Sequence, residues 1–67
     1  MQKTPFQLFV DEFGTQEKAA AALDRSRVTV NLIYNGKRDV PLALARQIER
    51  MSNGRFRAVD LLGLRAA

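Results

Sequence analysis

A stop signal followed at once by a helix-start signal recurs at roughly ten-residue spacing along this chain, a punctuation that suits short helices and little else. Thr4 is a good N-cap and Pro5 suits the first helical position. Phe6, Phe9, Val10 and Phe13 then follow the i, i+3, i+4, i+7 rule of one buried face. Gly14 closes that helix, and Thr15 caps a second one with Glu17 at its positive end. Residues 16–23 combine high helix propensity with small side chains that permit close approach by a neighbour. Asp24-Arg25 breaks this helix, and Ser26 caps a third that ends at Asn35-Gly36. Pro41 opens a fourth, with Leu44, Ile48 and Met51 as its buried stripe, and Ser52-Asn53-Gly54 stops it. A last short helix is expected with Val59 and Leu62 inward, although the weak alternation near Gly54–Val59 leaves a strand open there. The reading is all-α: a compact domain of four to five helices at about 5–13, 16–23, 27–34, 41–51 and 57–62. A frayed tail is expected at about 63–67.

With 67 residues the chain makes one small domain, and with no Cys and no His it has neither disulfide staple nor soft metal ligands. No apolar run reaches the length of a membrane span, and the first residues lack a signal-peptide layout. A cytoplasmic protein without cofactor or bound metal is expected. An enzyme is disfavoured by the missing His and Cys and by the lack of a Gly-rich phosphate loop, and no small-molecule substrate is expected. The net charge is +4 and unevenly spread: residues 1–23 carry −1, residues 24–41 carry +2 and residues 42–67 carry +3. Such a balance fits either simple solubility or a polyanionic partner.

The segment from Gln16 to Tyr34 has the layout of a helix-turn-helix, whose second helix enters the major groove of DNA. Ala20 is the small residue needed where the helices cross, with Ala19 and Leu23 beside it and Val30 and Ile33 as partners. On a wheel of about 100° per residue with Val30 at zero, Ile33 falls near 300° and Tyr34 near 40°, defining an inward arc. Val28 and Leu32 fall opposite it, roughly at 160° and 200°, with Arg27 and Asn31 on the flank at about 60° and 100°. Arg, Asn and apolar groups together on an exposed short helix suit base reading: Arg takes guanine, Asn takes adenine, and methyl groups meet thymine methyls. The candidate base contacts are therefore Arg27, Val28, Asn31 and Leu32. The candidate phosphate contacts are Gln16, Arg25, Ser26, Lys37 and Arg38. The plainer alternatives are a solvated Arg27, a neutral surface Asn31, and Val28 and Leu32 covered by another protein, as in an antitoxin-like interaction module.

Gly14, Thr15, Gln16, Ala20, Leu23, Ser26 and Val30, with Asn35, Gly36, Lys37, Arg38, Val40 and Pro41, resemble the lambda-repressor/Cro superfamily, in particular phage Cro proteins and YdaS-like prophage regulators. The likeness runs without gaps from about Phe13 to Pro41 and more loosely through Ile48–Gly54. It implies a lambda-repressor-like fold and an operator-binding transcriptional repressor, usually homodimeric, acting on a pseudo-palindromic site in double-stranded DNA. By position it implies base contacts at Arg27, Val28, Asn31 and Leu32, and phosphate contacts at Gln16, Ser26 and the Lys37-Arg38 loop. The chain departs from that pattern at Asp24, where Gly is usual, at Arg25, where an apolar residue is usual, and at Val28 and Leu32, where small or polar residues are common. A weak homodimer is expected through the apolar residues of the last third, Phe56, Leu61 and Leu64; the alternative is that Phe56 and Leu61 finish the monomer core and Leu64 lies in the frayed tail.

Overall fold

The computed structural model describes residues 3–63, and within them the chain is all-helical. Five helices follow one another: α1 (Pro5–Glu12), α2 (Gln16–Leu23), α3 (Arg27–Tyr34), α4 (Leu42–Met51) and α5 (Ala58–Leu61). The segment Gly54–Val59 contains no strand.

Local chemistry accounts for the boundaries. Thr4, Thr15 and Ser26 each accept the backbone N–H three residues on, and Gln7 returns the favour to Thr4 N–H at 3.0 Å, completing a capping box. The C-termini of α2, α3 and α4 close in the same way, by a pair of backbone bonds around one left-handed residue. Asp24 (φ 55°) ends α2, with Asp24 N–H bonded to Ala21 O and Arg25 N–H to Ala20 O. At the end of α3, Gly36 N–H bonds to Ile33 O and Lys37 N–H to Leu32 O. Asn53 (φ 55°) plays the corresponding part after α4. Pro41 stands outside α4 as its N-cap, one residue before the helix proper, because it supplies extended backbone and no capping side chain.

All five helices feed one apolar cluster. Phe6, Phe9 and Val10 of α1 meet Ala19, Ala20 and Leu23 of α2, Val30 and Ile33 of α3, Leu44, Ala45 and Ile48 of α4, and Leu61 of α5. The α4 stripe differs from expectation: Ala45 is buried and Met51 is 44% exposed. Leu44, Ala45 and Ile48 set the centre of the buried arc towards Ala45, so Met51, in the last position of α4, lies at its edge. In α5 the inward residues are Ala58, Leu61 and Leu62, at i, i+3 and i+4, which turns Val59 outward at 45% exposure.

The same shift corrects the expected pairing surface. Leu61 is buried in the monomer core, and Phe56 packs edge-to-face on Phe9 with ring centroids 5.6 Å apart. Leu61 is thus closed to a second copy, and Phe56 is half-buried against the monomer core. Leu64 and the rest of the expected tail beyond Gly63 lie outside the described residues.

Two glutamines tie the central helix pair to its neighbours. Gln7 of α1 donates from Nε2 to Tyr34 O at 2.8 Å, and Gln47 of α4 donates to Leu23 O at 3.0 Å. Each satisfies a carbonyl in the last turn of α3 or α2 that has no intrahelical donor. The helices that carry the candidate site are thus held at their C-terminal ends by the scaffold around them.

Candidate nucleic-acid interface

The turn from α2 into α3 is three residues, Asp24, Arg25 and Ser26, all exposed. Its tightness depends on residue 24 adopting the left-handed conformation, which Asp reaches at lower cost than most side chains. Arg25 occupies the place where such a helix end usually packs an apolar side chain, and it stays in solvent. The small residues Ala19 and Ala20 are both fully enclosed, as are Val30 and Leu23, so α2 and α3 pack closely, and α3 shows its remaining face outward.

Arg27, Val28 and Asn31 line one open cleft of about 330 Å³ together with Gln16 from the start of α2. Val28 is 65% exposed, the highest value among the large apolar side chains of the described residues. Four of the nine expected contact residues are therefore brought together at one place. Leu32 is not among them: it is half-buried, although the wheel put it opposite the core.

Within the cleft, Asn31 Nδ2 donates to Gln16 Oε1 at 2.9 Å. This link joins the first turn of α2 to the middle of α3, and it leaves Gln16 Nε2 and Asn31 Oδ1 without a described partner. Ser26 is already occupied by capping: its hydroxyl accepts from Thr29 N–H at 3.1 Å and donates to Thr29 Oγ1 at 2.9 Å. It remains exposed, but its hydroxyl proton is committed within the chain. Arg25, Arg27, Lys37 and Arg38 are exposed, and no carboxylate lies within ion-pair distance of them among the described residues.

Tyr34, at the end of α3, anchors the helix from behind. Its hydroxyl donates to Asp11 Oδ1 at 2.9 Å, and Lys3 meets the other oxygen of the same carboxylate. The hydrogen bond from Lys3 chiefly, and that from Tyr34 next, holds the Asp11 carboxyl below its ordinary value. The site therefore comprises an outward face of mixed amide, guanidinium and methyl groups on a helix fixed at its C-terminal end.

No family model, curated protein or solved structure matches the chain. No described helix is long and apolar enough to cross a membrane.

Proposed function

We propose that the chain is a sequence-specific DNA-binding regulator that lays α3 in the major groove of a duplex. The observation that carries this reading is the outward face of α3, where Arg27, Val28 and Asn31 surround one cleft with Gln16. Guanidinium, methyl and amide groups are the three chemistries that distinguish base pairs in that groove. Arg25, Lys37 and Arg38 lie on either side of α3 in sequence, suited to the phosphates of the two strands. With the resemblance to Cro proteins, the reading becomes a phage or prophage repressor working in the bacterial cytoplasm, without catalysis, cofactor or small-molecule substrate.

A single module of this size covers roughly 600–1,000 Å² of DNA interface, too little for high specificity alone. Two copies on half-sites about one helical turn apart would supply the rest. Since Leu61 belongs to the core and Phe56 packs on Phe9, such a weak homodimer would use exposed side chains; among the described residues Leu42, Met51 and Val59 are the large apolar ones of the C-terminal half.

One observation favours a second reading. Val28, in the first turn of α3, is the most exposed large apolar side chain among the described residues, at 65%, and an antitoxin-like module could cover it with a protein partner. A gel shift against the promoter region beside the gene, repeated over a salt series, separates the two. Duplex binding with a log–log salt slope of about −0.9 for each phosphate contact supports the regulator. Absence of binding to any duplex at low salt would overturn it in favour of the protein partner.

A further inference from the structure

A second cleft lies between α4 and the start of α5. Arg46 and Arg50 line it with Glu49 and Ala58, around an open volume of about 410 Å³. The one carboxylate among these residues is already engaged: Glu49 Oε1 accepts Ala58 N–H at 2.7 Å. No ion pair joins it to either arginine, although Arg46 stands three residues before it and Arg50 one after. Both arginines are exposed, so the cleft keeps a net positive charge open to solvent.

The row extends beyond the cleft. Leu42, Arg46 and Arg50 follow one another at i, i+4 and i+8 along α4, about 12 Å of helix surface. Leu42 is 53% exposed, and Val59, next to Ala58 in α5, is 45% exposed. Two guanidinium groups a single turn apart thus lie among open aliphatic side chains. We infer that this α4–α5 face docks an acidic, partly apolar segment of a partner protein. Carboxylates along that segment are held by the planar guanidinium forks, and its apolar side chains cover Leu42 and Val59.

Two other occupants fit less well. A nucleic-acid backbone satisfies the arginines but leaves Leu42 and Val59 in water. The cleft is also set apart from α3. Gln47 and Glu49 are roughly 160° apart around α4. Gln47 reaches Leu23 O at the end of α2, whereas Glu49 reaches Ala58 on α5. The cleft therefore belongs to the flank of α4 turned to α5, away from the α2–α3 pair. A second copy docked here about a twofold axis sets the arginine row against its own like charges. Contacts between copies are left to side chains such as Met51, which the helical period puts on the side of α4 opposite Leu42.

Selection of binders to the full chain from a pool of random short peptides tests this, followed by titration of the enriched peptides and of duplex DNA. The enriched peptides should combine Asp or Glu with Leu, Phe or similar side chains. A chain carrying both Arg46→Gln and Arg50→Gln should bind them about five-fold or more weaker while melting close to the wild type. Glu49→Gln keeps an acceptor for Ala58 and removes the negative charge of the cleft, so it should bind the same peptides about two-fold tighter. Duplex affinity and its salt slope should be alike in the wild type and the double variant. Three results each overturn the docking surface: no enriched peptide, enriched peptides without acidic residues, or peptides that hold the double variant as tightly as the wild type. A duplex salt slope smaller by about two in the double variant overturns it in favour of phosphate contacts and leaves the DNA-binding reading standing. Self-association of the wild type that the double variant loses overturns it in favour of a second copy. Absence of any duplex binding removes the DNA-binding reading alone, since the peptide titrations decide this face.

Discussion

The guanidinium of Arg55 grips Glu12 through two hydrogen bonds of 2.7 and 2.5 Å, whereas that of Arg27, also exposed, has no carboxylate partner among the described residues. The difference extends to the regions around them. On the α1 side, Lys3 and Tyr34 share the carboxylate of Asp11, Arg55 also covers the Phe56 ring at 5.0 Å, and Glu49 accepts Ala58 N–H at 2.7 Å to start α5. There the charges fasten one element to another. Around α3, Arg25, Arg27, Lys37 and Arg38 fasten nothing. Missing partners alone do not mark a base-reading face, since Arg46 and Arg50 on the outer face of α4 also lack a described carboxylate partner. The α3 face is set apart by its company: an open valine and an oriented amide pair within one cleft.

If this division is right, the two regions must respond to mutation in separate currencies, folding on one side and binding on the other. The largest effect is expected at Phe56. Phe56→Ala removes its contact with Phe9 and the surface beneath Arg55. A fully buried Phe→Ala costs about 3–5 kcal/mol, and for this half-buried ring about 2–3 kcal/mol is expected. Thermal unfolding at two protein concentrations checks it. A loss of Tm that does not depend on concentration fits the monomer core; a loss seen only at high concentration would return Phe56 to an interface.

On the α3 side the effect should move from stability to affinity. Arg27→Ala is expected to lower affinity for its specific site by about 1–3 kcal/mol and relax one base pair, with folding stability changed by no more than about 0.5 kcal/mol. Lys37→Ala or Arg38→Ala should instead weaken all duplexes alike and reduce the salt slope by about one. Titration of specific and random duplexes over a salt series distinguishes these patterns. Unchanged affinity of Arg27→Ala for both duplexes would remove α3 from the interface.

How much of this was legible beforehand varies with the range of the signal. The bounds of α2 and α3 follow from Thr15, Ser26, Asp24 and Gly36, which act on their own neighbours, and sequence and structure agree there to the residue. Met51, Val59 and Leu61 were misplaced because a helix end or a one-turn helix has no periodicity long enough to define its inward face. That depends on where α5 lands. Gln7 and Gln47 reach carbonyls 27 and 24 residues away, and nothing local marks them as helix clamps. In the site, Gln16 and Asn31 were each singled out, one for a phosphate and one for a base. Their bond to each other spans two helices and is visible only once the turn at Asp24 brings them together.

That turn supplies a smaller test. Asp24 holds φ at 55° without a side-chain cap, so Asp24→Gly removes steric strain but adds freedom to the unfolded chain. A net gain of about 0.5 kcal/mol is expected, together with slightly tighter DNA binding from the loss of a negative charge near Arg25 and Arg27. A lowered Tm in thermal unfolding would show that Asp24 contributes more to the turn than its backbone geometry.

The smallest effect concerns Asp11, and it asks whether pairing on the α1 side matters to folding at all. Lys3 and the Tyr34 hydroxyl both bond its carboxylate, holding its pKa below the ordinary 3.8. A carboxyl depressed in the folded state binds protons more readily when unfolded, so its contribution is present above the unfolded value and disappears as pH falls through the folded one. The group is exposed, and water and salt screen both contacts, which keeps the contribution small. Asp11→Asn retains an acceptor for Tyr34 and loses the charge facing Lys3. The wild type should therefore melt slightly above Asp11→Asn at neutral pH, with a constant difference down to about pH 4 and a shrinking one below it. Added salt should reduce the difference at neutral pH as well. If the two proteins melt together at every pH, the Lys3–Asp11–Tyr34 contacts do not stabilise the fold. The contrast between the paired and unpaired sides of the molecule would then rest on Arg55, with Glu12 and the Phe56 ring, and on the Glu49–Ala58 bond.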